Sequence, residues 1–119
     1  MAAYGGYVYF LTDPVHVHLY TGVTADLIRR VHSHLHQPAE RSFVARKGLN
    51  KLVFFEIHDR IEAAIAREKQ IKRWRRAKKD ALVEMVNPEW CDLITDRGGE
   101  ELMPVVRDLP VDVETLEWR

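Results

Sequence analysis

The stretch YVYFLTDPVHVHLYTGVT, residues 7–24, constrains the fold more than any other part of the chain. Two runs rich in aromatic and β-branched residues, 7–11 and 17–22, favour strands. Asp13-Pro14 between them is a turn signal, so the pattern predicts an antiparallel hairpin. Pairing across that turn brings Tyr9 and Tyr20 together. Gly22 lacks a Cβ, so backbone or a ligand can approach there. A half-buried aromatic pair with a strand-end glycine is one reading; a pair of hydroxyls with a chemical use is the other.

Thr24 suits the N-cap of a helix over 25–36, with Asp26 in its first turn. Leu27, Ile28, Val31 and Leu35 repeat at helical spacing as its buried face. Residues 37–50 read as a loop. Leu52-Val53-Phe54-Phe55 is a third strand, apolar throughout, and is expected at the centre of the sheet. Asp59 can cap a helix over 60–73 with the stripe Ile61, Ala64/Ile65, Ile71 and Trp74. A last helix, Ala77 to Val86, stops at Asn87-Pro88.

The 119 residues suit one domain, expected over 1–95. Residues 96–119 contain Gly98-Gly99, Pro104 and Pro110 without a clear period, and are expected to be an extended or disordered acidic appendage. No apolar run approaches membrane-spanning length, and the N-terminus has no basic-then-apolar leader pattern. Cys91 is the 1 cysteine, so no internal disulfide is possible. The expected setting is cytoplasmic.

The formal net charge is zero, 18 Lys+Arg against 18 Asp+Glu, but that average hides a split. Residues 1–95 hold 15 Lys+Arg and 11 Asp+Glu, whereas 96–119 hold 3 and 7. A positive body with an acidic tail hints at a polyanionic partner.

Arg30 and His34 are four residues apart and share a helical face. Such a pair can hold a phosphate and move a proton; a solvated flank is the plainer reading, preferred for Arg29. His32 and His36 share that spacing, but no third ligand accompanies them, which weighs against zinc. Glu68 falls on the apolar stripe of the second helix. A buried carboxylate is costly unless paired. A salt bridge to Arg30 or a neighbouring Lys/Arg would satisfy it, and so would Mg²⁺, which takes one or two carboxylates with waters and phosphate. REKQIKRWRRAKK, residues 67–79, holds eight basic residues and one acid around Trp74. A solvated face is one reading. A phosphate backbone alongside, offsetting cation repulsion, is the other. His16 and His18, in the turn, are expected to be exposed.

Together these residues resemble the GIY-YIG nuclease family, its small single-domain excision-repair-nuclease-like members most of all. Tyr7-Val8-Tyr9 and Tyr20-Thr21-Gly22 stand at the two name motifs. TADLIRRVHSH resembles the helix motif, with Arg30 and His34 at its functional positions, and AIAREKQIKRW the segment with the metal-binding Glu68. NPEW, 87–90, is similar to the end of the domain, with Asn87 matched to the late active-site asparagine. The resemblance covers about 6–95. It implies an α+β fold, a small antiparallel three-stranded sheet flanked by helices. It also implies phosphodiester hydrolysis with one Mg²⁺ or Mn²⁺ ion. Tyr9 and Tyr20 would aim hydroxyls at the attacking water and scissile phosphate. The expected nucleic-acid contacts are Gly22, Arg46, Lys47, Lys72, Arg73, Arg75 and Arg76.

The leading expectation is thus a metal-dependent DNA endonuclease acting on branched or damaged DNA in repair or recombination, with no membrane partner. A nucleic-acid-binding module that does not cut is the alternative. A protein–protein interaction domain is disfavoured by the charge of 67–79.

Overall fold

The computed structural model describes residues 5–36 and 47–93, with side chains at 5–31 and 47–93. Strands β1 (Gly6–Thr12) and β2 (Leu19–Thr24) are followed by helix α1 (Leu27–His36), strand β3 (Lys51–His58) and helices α2 (Ile61–Lys72) and α3 (Arg76–Val86). The fold is α+β, a three-stranded antiparallel sheet in the order β2-β1-β3. The acidic appendage expected at 96–119 lies outside the described residues. Among those described, no helix is long and apolar enough to cross a membrane.

The centre of the sheet is β1, not β3, which corrects the reading of the apolar run. Phe10 pairs with Phe54 and Leu11 with Leu52, so Val53 is the extra residue of a bulge. Val53 and Phe54 then join the same cluster, while Leu52 and Phe55 join the opposite one. Four apolar residues in a row reflect a bulge and two covered faces, not a central place. The outer edge of β3 is closed by the segment after α3. Leu93 N–H donates to Leu52 O (2.7 Å), and Leu52 N–H donates to Asp92 Oδ1 (3.3 Å).

Each face buries its own core. Tyr9, Leu11, Leu52 and Phe55 pack with Leu27 and Val31 of α1 and with Leu49 and Leu93. Val8, Phe10, Val53 and Phe54 pack with Ala64 and Ile71 of α2, Leu82 and Val83 of α3, and Trp90. Ile65 is 37% exposed, so the stripe of α2 runs through Ala64, Glu68 and Ile71 instead. The capping residues also differ from expectation. Asp26, not Thr24, caps α1, its Oδ1 accepting from Arg29 N–H (3.2 Å), while Thr24 Oγ1 accepts from Asp26 N–H (3.1 Å). Arg60 holds the N-cap of α2 without a side-chain bond, and Asp59 is displaced from that role.

The hairpin turn is braced from several sides. Asp13 Oδ1 accepts from Val17 N–H (2.8 Å) and Asp13 Oδ2 lies 3.3 Å from His18 Nδ1. His16, at φ 61°, stacks on Trp90 with ring centroids 4.8 Å apart. Burial, with the Lys51 charge, pushes the His16 pKa down, so its Nε2 accepts from Lys51 Nζ (2.9 Å). His16 and His18 are half-buried rather than exposed.

Candidate active site

Tyr9 lies opposite Gly22, and Tyr20 opposite Leu11. Side chains alternate along a strand, so Tyr9, Tyr20 and Gly22 share the face that α1 covers. A Cβ at Gly22 would sit 2.5 Å from Tyr9 Cζ and Oη and 2.8 Å from Tyr20 Cε2. No side chain fits there. Gly22 makes room for the Tyr9 ring and is itself buried, which corrects the expected open approach of a ligand.

The two phenols differ. Tyr9, on the central strand, is 0% exposed, whereas Tyr20, on an edge strand, is half-buried; their ring centroids are 6.1 Å apart. Tyr9 hydrogen-bonds both Tyr20 and the exposed Arg30 of α1. Burial pushes the Tyr9 hydroxyl well above the ordinary tyrosine range, Tyr20 adds to this, and Arg30 offsets only part of it. At neutral pH Tyr9 is therefore an uncharged phenol that fixes its two neighbours. Tyr20 is the one of the pair that reaches solvent, so the expectation that both hydroxyls face the attacking water is revised for Tyr9.

Glu68 stands on α2, which packs over β1 and β2 from the other face. It is 8% exposed, and its Oε2 lies 2.6 Å from Lys72 Nζ. The Glu68 hydrogen bond raises the Lys72 pKa, against burial, and Tyr20 adds a smaller electrostatic push. Lys72 thus pairs with Glu68 and lies within electrostatic reach of Tyr20. Tyr20 and Arg30 are held on one face of the sheet and Glu68 and Lys72 on the other, with Lys72 the group that senses Tyr20 across the edge strand β2. Among the described residues, no three or more His, Cys, Asp or Glu cluster to hold a metal. Glu68 is the carboxylate this site offers. The side chain of His34, one turn after Arg30, lies outside the described residues, as does Arg46.

The basic segment divides into inward and outward cations, a division that charge counting missed. Arg76 Nη1 and Nη2 donate to the carbonyls of Val17 (2.8 Å) and His16 (2.7 Å), and its Nε donates to Asp80 (2.6 Å). Arg76 is thereby a brace of the hairpin, which corrects its assignment as a nucleic-acid contact. Arg67 donates from Nε to Glu56 (2.9 Å) and lies 5.1 Å from the Trp74 ring, with Lys78 at 4.2 Å. Lys47, Lys69, Arg73 and Arg75 are exposed. Asn87 is corrected too. It is 6% exposed, and its Nδ2 donates to Val53 O (2.9 Å) and Cys91 O (2.8 Å) while its Oδ1 accepts from Cys91 N–H (3.0 Å). All of that side chain is committed to backbone. The signal for Lys72 as partner of Glu68 was its i+4 spacing, the favourable Glu-to-Lys order on a helix.

A family model described as the GIY-YIG catalytic domain matches residues 5–80. The chain belongs to the GIY-YIG family. A UPF0213 protein of Haloquadratum walsbyi is 41% identical over 66 residues, 56% of this chain and 73% of the relative. No solved structure matches the chain. The GIY-YIG domain is a nuclease domain, and the matched span contains Tyr9, Tyr20, Arg30, Glu68 and Lys72.

Proposed function

We propose that this GIY-YIG domain is a divalent-metal-dependent endonuclease that hydrolyses DNA phosphodiester bonds, in a cytoplasmic setting. The observation that carries the reading is a buried carboxylate, Glu68, whose ammonium partner Lys72 lies within electrostatic reach of Tyr20, which shares the Tyr9 hydroxyl with Arg30. A binding surface alone needs no buried carboxylate among its cations. In this reading Arg30 holds a phosphate oxygen and stabilises the negative charge that grows as water attacks. Tyr20 orients the water. Tyr9 keeps Arg30 and Tyr20 in place, and His34 is the proposed proton carrier for the leaving oxygen.

One Mg²⁺ or Mn²⁺ fits the donor set. Glu68 is buried and already holds a cation, the Lys72 ammonium, so this position demands positive charge. A single carboxylate completed by waters and substrate phosphate is a normal Mg²⁺ environment. When bound, the ion would supply Lewis-acid stabilisation of the phosphate.

The exposed Lys47, Arg73 and Arg75 are the proposed phosphate-backbone contacts. Branched or damaged DNA, met in repair or recombination, is the proposed substrate. Labelled single-stranded, duplex and branched DNA incubated with Mg²⁺, beside a Glu68→Ala control, tests both points. The expected result is cleavage by the wild type, strongest on branched DNA, and none by the control. Retention of DNA without cleavage under every metal tried would favour the non-cutting module.

A further inference from the structure

Glu68 raises a problem for any metal that would use it, because its carboxylate is already occupied. Lys72 Nζ sits 2.6 Å from Oε2. The Glu68 side chain is 10% exposed and that of Lys72 54% exposed. The carboxylate is thus fixed in the protein, while the ammonium comes in from the solvent side on a flexible four-carbon stem. Such a pair has unequal partners. Losing the cation with nothing in its place would strand a buried charge, whereas exchanging it for a metal keeps Glu68 neutralised and returns the ammonium to water. The neighbouring cations do not compete for the place. Arg67 is committed to Glu56 and the face of Trp74, and Arg76 to the hairpin turn.

We propose that Lys72 is the resident counter-ion of Glu68, a built-in cation that a divalent metal must displace in order to bind. The proposal rests on the metal-dependent reading above and deepens it. It makes Lys72 a positioning residue with two states. Without metal, its ammonium neutralises Glu68 and keeps the buried carboxylate from destabilising α2. With metal, it is expelled but stays tethered one helical turn away, within electrostatic reach of Tyr20. There a phosphate oxygen can receive it. Metal entry and the supply of a phosphate-binding ammonium are then one event, and metal affinity is held below what Glu68 would give alone.

The test is a calorimetric titration of the full chain with Mn²⁺ alone, without DNA, at one pH and ionic strength. Lys72→Gln should bind Mn²⁺ about 3- to 10-fold more tightly than wild type, the range expected for losing a partly exposed, charge-assisted competitor. Lys72→Arg keeps the charge and should stay within about twofold of wild type. Lys69→Gln removes the same net charge from an exposed place on the same helix and should also stay within about twofold. Lys72→Met, which retains the stem, repeats the measurement if the glutamine variant folds poorly. The Mn²⁺-induced rise in melting temperature should be larger for either variant than for wild type. Unchanged or weaker Mn²⁺ binding in both Lys72→Gln and Lys72→Met, while Glu68→Gln loses it, overturns the proposal and leaves the metal site intact. Tighter binding in Lys69→Gln as well also overturns it, because bulk charge would then explain the gain. Equal Mn²⁺ binding by wild type and Glu68→Gln removes the metal reading itself.

Discussion

Glu68 and Asn87 are both buried polar side chains set against the same sheet face, one on α2 and one at the end of α3, and they are held in opposite ways. Asn87 bonds three backbone groups, Val53 O, Cys91 O and Cys91 N–H. None of these partners can leave without unfolding the chain around it. Glu68 is met, among the described residues, by Lys72, whose side chain is more than half exposed. That partner can leave by rotating its stem. A buried polar group saturated by backbone is a structural fastening; one held by a replaceable cation is poised to exchange partners. The family resemblance placed both residues in the active site, and the hydrogen-bond partners separate them.

That separation predicts that damage at the β2 edge reduces chemistry and damage at the β3 edge reduces stability. Arg30→Ala should slow DNA cleavage by about 10²- to 10³-fold, and Tyr20→Phe by about 10²-fold, with little change in unfolding free energy. Single-turnover rates beside denaturant titrations check this. A Tyr20→Phe protein that cuts normally would restrict that ring to packing. Asn87→Ala should cost about 2–3 kcal/mol of stability, since it strands two carbonyls and an N–H. A loss below about 0.5 kcal/mol in urea would place Asn87 outside the fastening.

Tyr9 combines the two cases, because it is buried and yet bonds the groups of the site. Its folded pKa is raised by burial, while the unfolded chain releases that proton near pH 10. The contribution of the buried phenol is therefore intact below about pH 10 and is lost as pH climbs further. Tyr9→Phe should flatten the alkaline fall in stability. In an absorbance titration, one of the 4 tyrosines should stay un-ionised until the protein unfolds. Four phenols ionising together near pH 10 would contradict the enclosed hydroxyl. The smallest effects concern the cations. Arg75→Ala should weaken DNA binding a few-fold and leave stability alone, whereas Arg76→Ala should cost about 1–2 kcal/mol of stability by freeing the turn carbonyls.

Local chemistry made much of this fold legible in the sequence. Asp13-Pro14 and the flanking aromatic runs announce the hairpin, and Asn87-Pro88 marks the end of α3 within a residue. The Tyr9, Tyr20 and Gly22 pattern pointed to one place, and the register explains why: Tyr9 needs a glycine opposite it. What the sequence hid depends on distant partners. The run at 52–55 conceals a bulge, because apolar residues on two covered faces look the same as a central strand. Arg76 reads as one more cation until its bonds to carbonyls some 60 residues away are seen. Lys72 carried a local signal, four residues after Glu68, but the charge of the whole segment masked it.

In the proposed mechanism the chemistry centres on Glu68 and its replaceable partner. The most direct test is the single-turnover cleavage rate of Glu68→Gln beside Asn87→Ala, on labelled duplex DNA with saturating Mg²⁺, at a temperature where both variants are folded. Glu68→Gln should bind DNA within a few-fold of wild type and cut it about 10²-fold more slowly or worse. Asn87→Ala, although less stable, should cut at close to the wild-type rate. A folded Glu68→Gln protein that cuts like wild type would contradict the account. So would an Asn87→Ala protein that folds and does not cut.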